Sequence, residues 1–106
     1  MRFNKRNWKK FFDGSNKSTT IRLKPQKIGK HNAWAGSYFH PELLGTLNVI
    51  GVKSKLFKEL DYYDAKLDGF ESLSELIDEL KKLNYKKKIT PDTMVYINHV
   101  ENPIKK

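Results

Sequence analysis

The chain has 106 residues, of which 38% are hydrophobic and 12% aromatic, and its formal net charge is +9. This length and apolar content suit one folded domain with a modest core and argue against a disordered protein. The absence of cysteine excludes disulfides, thiol nucleophiles and thiolate metal sites, and with no signal peptide and no apolar run near the roughly 20 residues that span a bilayer, the expected location is cytoplasmic.

The positive charge is concentrated in the first half of the chain. Residues 1–58 carry 13 Lys and Arg against two acids, whereas residues 59–106 carry eight against ten. A cationic half favours a polyanionic partner, and nucleic acid is the commonest one. The alternative is a solvated lysine-rich surface, and charge alone does not decide between the two.

The first residues predict a short helix. Asn4 is a suitable N-cap, and Gly14 is placed to end the helix in a left-handed conformation. Between them, Trp8, Phe11 and Phe12 recur at helical spacing and form an apolar stripe. We interpret this stripe as core packing.

A polar cluster follows at the next strand. Residues 18–23 are rich in β-branched side chains and predict a strand. Because alternate side chains of a strand share a face, Thr20 and Arg22 are expected to point the same way. Together with Lys17, they would suit an anion or the polar edge of a base. The alternative is that all three are ordinary residues at a strand edge.

Residues 24–45 are the least regular part of the chain, because proline and glycine interrupt every pattern. Within this region, residues 33–39 predict either a strand or a partly ordered binding loop. We interpret Tyr38 and Phe39 as covering the mouth of a barrel or the core.

One aromatic residue of this region is a candidate for contact with a base. Trp34 follows the lysines Lys24, Lys27 and Lys30 in the sequence. An aromatic ring among cations provides the stacking and phosphate contacts that single-stranded nucleic acids require. These four residues are therefore candidate binding residues.

The second half of the chain gives clearer signals. Residues 45–57 predict a long, bent strand in which Gly51 is either a bulge or a point of close approach. Asp61 is a suitable N-cap for a helix that extends to Leu67 and is closed by Gly69.

A longer helix and a final strand follow. Ser72 and Glu75 fit a capping box, and five apolar residues recur behind it at helical spacing: Leu73, Leu76, Ile77, Leu80 and Leu83. Residues 92–100 predict the last strand. Short helices among strands predict an α+β fold, a small mixed β-barrel with flanking helices that forms one domain over residues 1–106.

No metal site or cofactor is expected. The three histidines, His31, His40 and His99, are widely separated, and no carboxylate lies near them at ligand spacing.

Several motifs occur in an order that resembles the ASCH domain family. After Gly14 the chain has Lys-Ser-Thr-Thr-Ile-Arg at residues 17–22, Phe-Lys-Glu-Leu at 57–60, Asp-Ala at 64–65, Asp-Gly-Phe at 68–70 and a helix start at Ser72. The agreement extends from about residue 8 to residue 100. The resemblance implies a PUA-like β-barrel with flanking helices, and an association with RNA or modified nucleosides.

Some small ASCH proteins are amidohydrolases that remove the acetyl group from N4-acetylcytidine and related nucleosides. The resemblance places their catalytic residues at Lys17, Thr20 and Asp68, where hydrolase-type members usually carry glutamate at the last position. Thr20 would be the nucleophile, Lys17 its base, and Asp68 the group that orients the lysine or the substrate amine. A lysine acts as a base only if burial or a nearby cation such as Arg22 lowers its pKa.

The leading expectation is therefore a domain that binds RNA or single-stranded nucleic acid. Its cleft, lined by Lys17, Thr20, Arg22 and Asp68, would receive a nucleotide. An amidohydrolase acting on a modified nucleoside is the alternative. Ribonuclease activity ranks last, because no pair of histidines is placed to share the acid and base roles. No membrane partner is expected, and the oligomeric state is left open.

Overall fold

The computed structural model describes all 106 residues. It has three α-helices, one short 3-10 helix and four strands. In chain order these are α1 (Lys5–Lys9), β1 (Thr19–Arg22), β2 (Gly29–Gly36), β3 (Pro41–Leu56), the 3-10 helix (Phe57–Glu59), α2 (Tyr62–Leu67), α3 (Leu73–Leu83) and β4 (Met94–Lys105). The α+β class predicted from the sequence is confirmed.

Each helix begins at a polar cap that the sequence predicts. The side chains of Asn4, Asp61 and Ser72 accept hydrogen bonds from backbone N–H groups in the first turns of α1, α2 and α3. The predicted capping box of α3 is only half formed, because the Glu75 carboxylate accepts from the backbone N–H of Glu71 instead of Ser72. Local sequence signals thus define the helix starts.

The four strands form one antiparallel sheet in the order β1-β4-β3-β2. The long strand β3 is irregular where it pairs with β4, and its register shifts between Val49 and Gly51. Of the two roles predicted for Gly51, the structure therefore supports the bulge. A bulge of this kind bends the strand, and the 16-residue β3 pairs with both β2 and β4.

The predicted mixed β-barrel is wrong, because the sheet is open and every strand pairing is antiparallel. Closing a barrel requires a continuous hydrogen-bond ladder between the outer strands, which are here β1 and β2. Only the N-terminal segment spans them. Arg2 forms a single bridge with Trp34 of β2, while its carbonyl oxygen accepts from the Arg22 side chain of β1. These isolated contacts do not make a ladder.

The core consists of two clusters of buried side chains. One packs α2 and α3 against the sheet and contains Ile21, Leu60, Ala65, Phe70, Leu76, Leu80, Val95 and Ile97. The other packs α1 against the sheet and contains Phe3, Trp8, Ala33, Leu47 and Val100. The aromatic stripe of the first helix belongs to the second cluster, with Phe11 and Phe12 partly buried against it.

The region that the sequence left undecided is a strand followed by a turn. Strand β2 ends at Gly36, and residues 37–40 connect it to β3. Tyr38 and Phe39 are 81% and 84% exposed, so the interpretation that they cover a barrel mouth or the core is wrong. Their positions at the tip of a hairpin carry them away from both core clusters.

No helix in the structure combines the length and apolar character needed to cross a membrane.

Candidate functional site

A cleft of about 470 Å³ lies beside β1, between the N-terminal segment, the turn that follows α2, and α3. It is lined by five of the eight residues that the sequence singled out: Lys17, Thr20, Arg22, Lys24 and Asp68. This volume is within the range of small-ligand sites. The cleft thus brings together residues separated by up to 51 positions in the sequence.

The other three candidates lie outside the lining of this cleft. Lys27 and Lys30 are exposed, and Trp34 is half-buried on β2. The backbone of Trp34 bonds to Met1 and Phe3, which ties it to the N-terminal segment. The sequence could not distinguish these residues from Lys24. The two lysines have the same charge as Lys24 and Trp34 is near it in the sequence, so the difference lies only in their positions in the fold.

Lys17 and Asp68 form a buried ion pair at the base of the cleft. Their side chains are 3% and 6% exposed, and the Lys17 ammonium contacts Asp68 Oδ1 and also donates to the Asp68 carbonyl oxygen at 3.1 Å. The other carboxylate oxygen, Oδ2, accepts from the backbone N–H of Ile21 at 3.3 Å. Aspartate is therefore long enough to reach the lysine, although it is one methylene shorter than glutamate.

Gly69 explains how the pair comes together. Its φ is +83°, and a Cβ at this position would lie 3.2 Å from the Lys17 Cβ and 3.1 Å from the Lys10 Cδ. Glycine accepts this left-handed conformation without a steric cost and lets the end of α2 approach closely. A backbone hydrogen bond of 2.7 Å from Ser18 to the Leu67 carbonyl oxygen joins the same two segments.

The surroundings of Lys17 favour loss of its proton. Burial, followed by the positive charges of Arg22 and Lys10, lowers the pKa of Lys17 well below its ordinary value. The charge of Glu79 acts in the opposite direction and is outweighed. The pKa of Lys17 is thus shifted in the direction that a general base requires.

Thr20 and Arg22 form a second polar pair in the cleft. They lie on the same face of β1, and Arg22 Nε donates to Thr20 Oγ1 at 3.1 Å. Because arginine is only a donor, the Thr20 hydroxyl hydrogen remains available to another acceptor. In this structure, the hydrogen bond of Thr20 Oγ1 is to Arg22 and not to Lys17.

Arg22 is held rigidly. Its guanidinium lies over the Phe3 ring, 4.7 Å from the ring centroid, and donates to the Arg2 carbonyl oxygen. Burial lowers the pKa of Arg22 to about 10, so the side chain is cationic at neutral pH. It places a fixed positive charge beside Thr20, where an oxyanion or a phosphate would be stabilised.

Glu79 of α3 is a further wall of the cleft that sequence reasoning missed. Its carboxylate accepts from Arg6 at 3.0 and 2.9 Å, from Asn7 at 3.0 Å and from Asn4 at 3.4 Å. Burial alone would raise the pKa of Glu79, but these hydrogen bonds outweigh burial and lower it. One sequence signal could have indicated it. Glu79 lies three residues after Leu76, so an acidic side chain occurs at helical spacing among the apolar residues of α3.

Six more polar residues of the lining were not predicted as site residues: Arg2, Asn4, Asn7, Gln26, Asn84 and Lys87. With them, the cleft presents five cationic side chains and two carboxylates. Lys87 follows the end of α3, and Arg2 precedes the first predicted element. Neither carries a local sequence signal, because only the packing of the chain termini and of α3 brings them to the cleft.

No group of three His, Cys, Asp or Glu side chains is placed to hold a metal ion.

The fold resembles a structure already solved by crystallography. Protein EF3133 from Enterococcus faecalis V583, described by the family model DUF984, superposes with a TM-score of 0.67. The alignment covers 96% of this chain and 68% of that one at 14% identity. At this identity the likeness shows the fold alone. No protein-family model matches the sequence, and no curated protein matches it.

Proposed function

We propose that the chain is an ASCH-type, PUA-like domain that binds RNA or another single-stranded nucleic acid and receives one nucleotide in the cleft. The family part of this proposal is based on the ordered motifs of the sequence. The observation that carries the function is the excess of cationic over acidic side chains in a cleft of about 470 Å³. A cleft of this size suits one nucleotide, and it is too small for a duplex.

The lining provides contacts for the chemical parts of a nucleotide. Arg22 and Lys24 supply cations for a phosphate, and arginine can bind two phosphate oxygens at once. Thr20 and the amides of Gln26 and Asn84 offer donors and acceptors to a sugar or a base edge. This combination favours a nucleotide over a simple anion.

Two lysines make a matched test of this proposal. Lys24 lines the cleft, whereas Lys30 is equally cationic and exposed but lies outside it. We expect Lys24→Ala to weaken binding of a fluorescein-labelled single-stranded RNA and Lys30→Ala to leave it near wild type. The measurement is fluorescence anisotropy in about 50 to about 200 mM salt, where loss of one phosphate contact lowers the log–log salt slope by about 0.7.

Two results would oppose the proposal. Wild-type protein that does not bind RNA even at the lowest salt has no such function. Equal losses in Lys24→Ala and Lys30→Ala would indicate a diffuse basic surface, not a cleft.

A second candidate function is an amidohydrolase of N4-acetylated nucleosides, favoured by the lowered pKa of Lys17 beside Thr20. In this reaction Thr20 Oγ bonds to the acetyl carbon while Lys17 takes the hydroxyl proton. The bond from carbon to nitrogen then breaks, and the amine leaves with that proton. Water hydrolyses the acetyl ester on Thr20. Arg22 would stabilise the oxyanion, and substrate binding would have to bring the Thr20 hydroxyl within reach of Lys17.

Incubation with N4-acetylcytidine tests the hydrolase directly, with chromatographic detection of cytidine. Thr20→Val removes the hydroxyl and keeps the shape of the side chain, so we expect no turnover from this variant. Thr20→Ser keeps a nucleophile and should retain measurable turnover. Turnover that survives in Thr20→Val would show that Thr20 is not the nucleophile.

A further inference from the structure

The turn between β2 and β3 holds two aromatic rings in solvent. The backbone N–H of His40 donates to the Ser37 carbonyl oxygen at 3.2 Å and to Ser37 Oγ at 3.1 Å. Tyr38 and Phe39 therefore occupy the two central positions of a hydrogen-bonded turn. Their rings contact each other edge to face, with centroids 5.6 Å apart.

Folding does not account for these two side chains. The turn itself is formed by Ser37 and by Gly36, whose φ is +85° and whose hydrogen lies where a Cβ would meet the His40 carbonyl oxygen. Central turn positions ordinarily carry small or polar residues. Two adjacent aromatic rings that are more than four-fifths exposed bury almost nothing in the monomer, and an exposed apolar patch is typical of a binding surface.

Arg2 connects this turn to the cleft. Its side chain lines the cleft, and its Nη1 donates to the Gly36 carbonyl oxygen at 2.6 Å. Tyr38 follows Gly36 by two positions, so their Cα atoms are at most about 7 Å apart. A polymer that leaves the cleft past Arg2 would therefore pass close to this turn.

We propose that Tyr38 and Phe39 stack on a base adjacent to the nucleotide in the cleft, so that the partner is a single strand of RNA and not a free nucleotide. This inference rests on the proposed function of the cleft. Arg2 lies between the two sites and supplies a cation for the phosphate that joins the two nucleotides. Stacking on exposed rings does not depend on base identity, since every base has a π-face.

The dependence of affinity on RNA length tests the inference. Competition against a labelled RNA gives the affinities of uridine monophosphate and of a uridine tetranucleotide for wild type and for the double variant Tyr38→Ala/Phe39→Ala. We expect wild type to prefer the tetranucleotide, and the double variant to bind it at least about fivefold more weakly because the stacking contact is lost. Affinity for the mononucleotide should stay the same.

Control variants distinguish stacking from a general loss of surface. Tyr63 is 74% exposed on α2 and outside the cleft lining, so Tyr63→Ala should bind both ligands as wild type does. Tyr38→Trp, which keeps an aromatic face, should retain the tetranucleotide affinity. Both substitutions change exposed side chains and leave the core intact.

The same experiment separates three negative results. If wild type binds both ligands and the double variant matches it, the aromatic pair has no role and only this inference fails. If wild type binds neither ligand, the proposed function of the cleft fails as well. If the double variant binds RNA normally but loses sedimentation with vesicles of phosphatidylcholine and phosphatidylserine, the pair is a membrane contact and the inference is overturned.

Discussion

Two carboxylates are buried in the same cleft, and they are stabilised in different ways. Asp68 and Glu79 are only 4% and 7% exposed. Glu79 accepts hydrogen bonds from Arg6, whose side chain is 62% exposed, and from two asparagine amides. Asp68 instead faces Lys17, a cation that is itself 3% exposed. Only one charge is removed from water in the first case, whereas two are removed in the second.

This difference separates a structural role from a chemical one. A carboxylate with several donors and a solvated cation joins α1 to α3 at little cost. A fully buried ion pair loses much of its Coulomb attraction to desolvation and is weak evidence of stabilisation. Stability therefore does not explain why a lysine lies there, whereas a strongly perturbed pKa in a cleft is typical of a functional site.

The largest effect is expected when the buried pair is broken. Lys17→Met leaves the Asp68 carboxylate buried without the amine that donates to it in either protonation state, which should lower the free energy of unfolding by about 3–5 kcal/mol. The double variant Lys17→Met/Asp68→Asn carries no buried charge and should recover much of this loss. Urea unfolding of wild type, the single variants Lys17→Met and Asp68→Asn, and the double variant gives the coupling energy between the two side chains. If Lys17→Met were as stable as wild type, the Asp68 carboxylate would not depend on Lys17 for its stabilisation.

A smaller loss is expected at the other carboxylate. Glu79→Gln keeps the shape of the side chain but removes the charge that its three donors share, so we expect a loss of about 1.5–3 kcal/mol. Arg6 remains solvated, and no charge is left buried. Urea unfolding measures the change, and single-stranded RNA binding should persist because the cations of the cleft are untouched. A loss as large as that of Lys17→Met would remove the distinction between the two carboxylates.

The sequence predicts the local parts of this fold well. Asn4, Asp61 and Ser72 act on backbone groups within three residues of themselves, and Gly69 is determined by its own φ. Whether a sheet closes depends on contacts between strands far apart in the chain. The open sheet was missed because nothing near β1 indicates that no further strand pairs with it and that Asp68 instead accepts from the backbone N–H of Ile21.

The site was predictable to the extent that motifs define it. Lys17, Thr20 and Asp68 were found through an ordered set of motifs, and the structure brings all three to one cleft. Glu79 and Arg2 were not found, because their roles arise from how α3 and the N-terminal segment pack on β1. Charge counting has the same limit, since it ranks Lys24 and Lys30 alike although only the first lines the cleft.

The alkaline range provides a further test of Lys17. Burial, Arg22 and Lys10 lower its pKa in the folded state below the 10.5 of the unfolded chain. Between these two pKa values the unfolded state binds more protons, so stability attributable to Lys17 increases with pH and is complete above 10.5. We expect the stability difference between wild type and Lys17→Met to grow as the pH is raised, measured by urea unfolding. A constant difference would mean that Lys17 has an ordinary pKa.

The acid range tests Glu79, where wild type is expected to lose stability as the pH falls and the variant is expected to lose less. Hydrogen bonds from Arg6, Asn7 and Asn4 outweigh burial and hold the pKa of Glu79 below 4.5 in the folded state. As the pH falls through 4.5, the unfolded state takes up the proton first, so wild type loses stability. Glu79→Gln lacks this group and should show a shallower decline between neutral pH and acid. Parallel declines in urea unfolding would assign the acid sensitivity to other carboxylates.

The smallest effect is expected from the exposed partner of Glu79. Arg6→Ala removes two hydrogen bonds to the carboxylate, but the guanidinium is largely in water and the amides of Asn4 and Asn7 remain. Such half-exposed pairs contribute little, so the expected loss is below about 1 kcal/mol and should shrink in high salt. Urea unfolding at low and high salt measures both features. A salt-independent loss as large as that of Glu79→Gln would mean that Arg6, and not the asparagines, neutralises the buried charge. The two carboxylates would then both depend on one cation, and they would differ only in how far that cation is buried.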